Sequence, residues 1–131
     1  MTKSNETARP TEGELEILAV LWERESATVR EVYEAISAER PMVYTGVLKL
    51  MQIMADKGLV LRDESARAHV YRAAVEKEET ERRFVRELSR RLFSGSAAQL
   101  ALRALEMEPA SEADLAEIRK LLARRRQEAG Q

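Results

Sequence analysis

The sequence predicts a mainly α-helical protein with one small β-hairpin, and three observations predict it. Apolar residues recur at spacings of three and four along most of the 131 residues, as they do in amphipathic helices. Helix starts are spelled out by capping boxes at Thr11-Glu12-Gly13-Glu14 and Thr28-Val29-Arg30-Glu31, in which a Thr side chain and a Glu three residues on satisfy each other's backbone N–H groups. Only between Leu59 and Arg72 does the apolar period shorten to two, the period of a strand.

The first helix runs from the Thr11 cap to about Arg24, with Leu15, Leu18, Leu21 and Trp22 as its inward stripe and Ile17 beside it. Trp22, the single tryptophan, is expected to anchor this helix against the hairpin. The second helix carries Val29, Val32, Tyr33 and Ile36 inward and ends near Ala38. Pro41 disfavours helical geometry at Arg40, so Glu39-Arg40-Pro41 is a bend rather than a continuation. The third helix is expected over Pro41 to Gly58, with Pro41 in its first turn and Lys57-Gly58 closing it. Val43, Val47, Leu50, Met51 and Met54 form its stripe, and Tyr44, Thr45, Lys49 and Gln52 its polar face. Two strands follow, Leu59 to Asp63 and Arg67 to Arg72, around a tip at Glu64-Ser65-Ala66. His69 and Tyr71 share one face, Val70 and Arg72 the other.

Helix, turn, helix and two-stranded hairpin make a winged helix-turn-helix, whose third helix enters the major groove of DNA. In that reading Tyr44, Thr45, Gly46 and Lys49 face the bases. Arg30 and Arg40 are the cations within reach of phosphates, and Arg67 sits on the wing.

A long helix over Glu76 to Phe93 comes next, with Phe84, Val85, Leu88 and Leu92 on one stripe. Its i,i+4 pairs Glu78–Arg82, Glu79–Arg83 and Glu87–Arg91 stand in the favourable order. Ser94-Gly95-Ser96 breaks it. Ala97 to Met107 presents Leu100, Ala101, Ala104 and Leu105, and a last helix from Ser111 presents Leu115, Ile118, Leu121 and Leu122. Three narrow stripes make a poor core alone, so a second copy of the chain is the expected partner. The expected organisation is a disordered lead over 1–10, a winged-helix DNA-binding domain over 11–75 and a three-helix dimerisation region over 76–127.

Composition narrows the function. Residues are 44% apolar and 34% charged. No apolar run reaches the ~20 residues that cross a bilayer, and the polar N-terminus is no signal peptide. The absence of cysteine, with His69 the single histidine, removes thiolate chemistry and leaves little for a histidine-based metal or hydrolytic site. No glycine-rich phosphate loop is present. No enzyme, metal or cofactor is expected, and the cytoplasm is the expected location. Net charge is −1, so DNA binding has to come from local placement of Lys and Arg.

Several segments resemble one family in order and spacing. T-E-G-E-L-E-I-L-A-V-L-W, T-V-R-E-V-Y-E-A-I-S, Y-T-G-V-L-K-L-M, D-K-G-L-V, R-A-H-V-Y, R-R-L-F-S-G-S-A-A-Q-L-A-L-R-A-L-E and S-E-A-D-L-A-E-I-R-K-L-L together look like the BlaI/MecI/CopY family of penicillinase and methicillin-resistance repressors. The resemblance implies a homodimeric winged-helix repressor on a palindromic operator, controlling genes of the β-lactam-resistance or stress type. It also implies a sensor-protease pathway that cuts the dimerisation arm. The family's scissile bond aligns with Arg103-Ala104, a pair that does not fit that cleavage. Without cysteine the chain lies outside the copper-responsive branch. Three positions of the third helix depart from the family pattern: Gly46 stands for a Thr, Lys49 for a hydroxyl residue and Ile53 for an Arg. Those departures, with the acidic N-terminal half, support an alternative: a winged-helix protein-interaction module that has lost specific DNA binding.

Overall fold

The computed structural model describes residues 9–130. The lead expected over 1–10 lies outside them except for Arg9 and Pro10, and Pro10 is buried. The elements run α1 (Glu12–Arg24), β1 (Ala27–Thr28), α2 (Val29–Ser37), α3 (Tyr44–Lys57), β2 (Val60–Asp63), β3 (Val70–Ala73), α4 (Lys77–Leu92), α5 (Ala97–Met107) and α6 (Glu112–Ala129). Two compact units divide inside α4, one ending at Glu81 and the other beginning at Arg82.

In the first unit both capping boxes form: Thr11 with Glu14, and Thr28 with Glu31. Ile17, Leu18 and Leu21 of α1, Val32 and Ile36 of α2, and Val47, Met51 and Met54 of α3 close over Leu59, Val60 and Tyr71 of the hairpin segment. Ile17, expected beside the stripe, is fully buried, whereas Leu15 and Trp22 are half-buried at its margin. Trp22 still anchors the far side of the unit, because its indole N–H donates to the Val75 carbonyl at 2.9 Å.

The hairpin is larger than expected. Ala27–Thr28 adds a third strand, so the sheet runs β1-β3-β2, antiparallel throughout. Ala27 pairs Tyr71 and Thr28 pairs Val70, while Arg62 pairs Tyr71 and Asp63 pairs Val70. Two residues are too short a run to show an apolar alternation, so nothing in the sequence marks β1.

The start of α3 also differs from expectation. The helix begins at Tyr44, not at Pro41, with Val43 as an extended N-cap at φ −108°. The Arg40 backbone N–H still bonds the Ile36 carbonyl, so the chain is leaving α2 there and needs an extended step before it can turn back. Val43 therefore falls out of the helical stripe and is 69% exposed. Its side chain makes no capping bond, where Ser, Thr, Asp or Asn would accept one. The other end is well made. Gly58 adopts φ +83° and Leu59 N–H bonds the Met54 carbonyl at 2.9 Å, the closing pattern that needs a left-handed residue.

In the second unit, Ser94 at φ 50° and Gly95 at φ 85° separate α4 from α5. Arg83 and Glu87 pair at 3.6 Å along α4. No described residue of α5 or α6 is buried. Of the stripes expected there, Phe84, Leu100, Leu115 and Ile118 are half-buried, and Leu88, Leu92, Leu105 and Leu122 are exposed.

One buried ion pair ties the start of α1 to the end of α3. Glu14 is 2% exposed. Both its oxygens accept from the Lys57 ammonium at 2.8 Å, and one also accepts from the Thr11 N–H at 2.9 Å. Burial raises the Glu14 carboxyl, but Lys57 and Thr11 outweigh it and hold the group below its ordinary value of 4.5. A depressed folded value means that its stabilisation is complete well above pH 4.5 and is lost as pH falls through the folded value. Glu14→Gln should therefore lower the unfolding free energy by about 2 kcal/mol at neutral pH, and by less near pH 3. Urea unfolding of both proteins at the two pH values checks this, and an undiminished gap in acid would contradict it.

Candidate nucleic-acid interface

The exposed surface of α3 is built from its first three turns. Thr45, Gly46, Lys49 and Gln52 are exposed, while Val47, Met51 and Met54 hold the opposite face in the core. A Cβ built on Gly46 meets nothing within 4 Å, so no neighbour in the fold requires glycine there.

Beside this surface lies a cleft of about 470 Å³. Its walls are the start of α2 with Thr28, Val29 and Arg30, the inner edge of α3 with Tyr44, Leu48 and Gln52, and the hairpin with Arg62, Arg67, His69 and Tyr71. The fold thus brings Arg30, Tyr44 and Arg67 around one cleft, while Thr45, Gly46 and Lys49 stand on the adjoining exposed face of α3. Arg40 is placed differently. Its guanidinium grips the Glu16 carboxylate of α1 with two hydrogen bonds, one from Nε at 2.9 Å and one from Nη2. That bond and the charge of Arg40 hold the Glu16 carboxyl below its ordinary range.

The cations fall into two sets. Arg40 is matched by Glu16 and Arg62 by Glu64 at 2.6 Å. The Tyr71 hydroxyl and Glu64 beside it raise the pKa of Arg62. Arg30, Lys49 and Arg67 have no carboxylate partner among the described residues. Instead the Arg30 guanidinium lies over aromatic rings, 4.9 Å from the Tyr44 centroid and 6.0 Å from that of Tyr33. At the wing, the Ser65 N–H donates to Asp63 at 2.9 Å, which lowers the Asp63 carboxyl and fixes the turn.

Arg62 and His69 were not among the expected site residues, yet both line the cleft. The signal was present in the strand parity: His69 shares the face of Tyr71, and Arg62 is the register partner of Tyr71. A polar face of this kind, with unmatched cations at its margins, suits an anionic partner with a groove. Among the described residues no group of His, Asp and Glu could hold a metal, and no helix is long and apolar enough to cross a membrane.

The Arg103–Ala104 bond lies inside α5, and Arg103 pairs Glu106 at 2.5 Å. A bond inside a helix has to be unwound before a protease can cut it.

The chain is 47% identical over 62 residues to proteins named Transcriptional regulator BlaI from two strains of Mycobacterium tuberculosis, CDC 1551 / Oshkosh and H37Rv. Each match covers 45% of this chain and 45% of the relative, so the likeness spans a little under half the length of these curated proteins. A family model described as penicillinase repressor matches residues 10–124, nearly the whole described chain, and the protein belongs to that family of transcriptional regulators.

Proposed function

We propose that the protein is a DNA-binding transcriptional repressor that occupies a two-fold symmetric operator as a homodimer. The observation that carries this reading is the exposed face of α3, with Thr45, Gly46 and Lys49, flanked by Arg30 and Arg67 as cations without carboxylate partners. A helix so placed reads base edges, and cations at its margins neutralise phosphates. Activity on DNA goes with the cytoplasm and needs no cofactor. Residues 76–127 serve as the dimerisation region, because Leu88, Leu92, Leu105 and Leu122 are exposed on amphipathic helices and a second copy would cover them. The repressed genes are of the β-lactam-resistance or stress type. A sensor protease as partner rests on family likeness alone.

A protein-interaction module is the second reading. It is favoured by Val43, 69% exposed, and Ile53, 38% exposed, two apolar residues on the element meant for DNA. Selection from a random-sequence DNA pool with the full chain separates the two readings: enrichment of a palindrome supports the repressor, and no enrichment supports the module.

Arg67→Ala should weaken all selected sequences alike and lower the slope of log affinity against log salt by about one unit. Lys49→Ala should change which sequence is preferred. Titration of both variants at several salt concentrations checks this division, and equal loss of discrimination would refute it.

Gly46→Thr should stabilise the fold by some tenths of a kcal/mol, since a Cβ there has open space, and should tighten operator binding by adding a hydroxyl on the groove face. Thermal unfolding and operator titration are read together. A more stable protein that binds its operator less well would mean that the glycine serves close backbone approach.

The full chain should sediment at twice its 14.9 kDa mass, and Leu122→Glu should shift it toward the monomer. An unchanged dimer would place the interface elsewhere.

A further inference from the structure

Arg30 is held in an unusual way for a surface arginine. It stands one turn before Glu34 on α2, the spacing of a helical ion pair, yet forms none with it among the described residues. The other nearby acid, Glu31, is occupied in the capping box, accepting the Thr28 N–H at 2.9 Å. The guanidinium lies instead 4.9 Å above the Tyr44 ring. That ring is itself fixed: Tyr33 of α2 meets it edge to face, with centroids 5.6 Å apart and planes at 77°. Tyr33 also lies within 6.0 Å of the guanidinium and is half-buried against the core.

We propose that Tyr33 is a positioning residue for DNA binding, which holds the Tyr44 ring so that Arg30 is kept ordered and uncompensated at the edge of the cleft. The inference rests on the repressor reading above and adds to it a residue that need not touch DNA. The chemistry separates an aromatic support from an acidic one. A carboxylate would order the arginine too, as Glu16 orders Arg40, but it would cancel the charge, occupy the fork and repel phosphate. A ring face attracts the cation while leaving its net charge and its N–H edge available. Ordering the side chain beforehand removes part of the entropy that binding would otherwise cost. Tyr44 then acts through its ring as a platform for Arg30, with Tyr33 packed against both in a three-membered cluster.

The test uses the full chain and a duplex carrying the sequence that wild type enriches from a random pool, titrated at several salt concentrations. Arg30→Ala should lower the salt slope by about one unit. Tyr33→Leu should weaken binding about fivefold and lower the slope by part of that unit, because a disordered guanidinium neutralises its phosphate less completely. The double variant should bind no more weakly than Arg30→Ala alone. Tyr33→Phe, which keeps the ring, should restore both affinity and slope. Thermal unfolding accompanies each titration, and Tyr33→Met replaces Tyr33→Leu if the latter does not fold. A full salt slope in Tyr33→Leu or Tyr33→Met beside a lowered one in Arg30→Ala overturns the proposal, since lost packing alone would weaken binding without changing the ions released. Additive losses in the double variant, a Tyr33→Phe as weak as Tyr33→Leu, or a full slope in Arg30→Ala also overturn it while leaving the repressor reading standing. Wild type that binds no duplex overturns both.

Discussion

Glu14 and Lys57 are 43 residues apart in the chain and meet beneath the first turn of α1. A carboxylate that is 2% exposed is tolerable only when its charge is matched and its oxygens are bonded. Here the same group caps α1 through the Thr11 N–H and binds the last turn of α3 through Lys57. The start of one helix and the end of another are therefore tied at a single point. Met51 and Met54, fully buried beside it, and the Gly58 turn complete the anchorage.

The two ends of α3 are made differently. Its C-terminal half has the ion pair, the methionines and a well-made cap. Its N-terminal half begins at Val43, which offers no capping acceptor, and passes through Gly46, the poorest helix former after proline. Val47 holds that half to the core, and Tyr33 and Arg30 pack against the Tyr44 ring. Charge follows a similar division. Arg40 and Arg62 are matched by acids, and Arg30 and Arg67 stand at the cleft without a carboxylate partner among the described residues.

The second unit lives on different terms. Its described helices carry regular stripes, but α5 and α6 bury none of their residues. Amphipathic helices of this length draw most of their stability from packing an apolar face. Capping supplies what local structure can: Ser96 accepts the Gln99 N–H at 3.0 Å, and Ser111 and Asp114 form a capping box. A Leu-rich surface such as Leu88, Leu92 and Leu122 offers is poorly stable in water, which is why a partner for it enters the functional reading.

Read from the sequence alone, helix starts were the most legible feature, because a capping box is a local bond between residues three apart. Thr11, Thr28 and Ser111 all cap as their spacing implies. The helix-turn-helix with its hairpin was legible too, since periods of 3.6 and 2 need no knowledge of partners. What the sequence could not carry was anything decided by who meets whom. β1 exists only because the hairpin offers Tyr71 and Val70 as register partners to Ala27 and Thr28. Val43 left the apolar stripe because the exit from α2 required an extended step. Arg30 and Arg40 are the same residue type in similar surroundings of sequence, yet one lies on tyrosines and the other on Glu16. Glu14 could be named as a cap from its neighbours, but its second partner, Lys57, is brought to it only by the packing of α3 on α1. Local bonds are written in spacing, whereas charges are paired by the tertiary structure that brings them into reach.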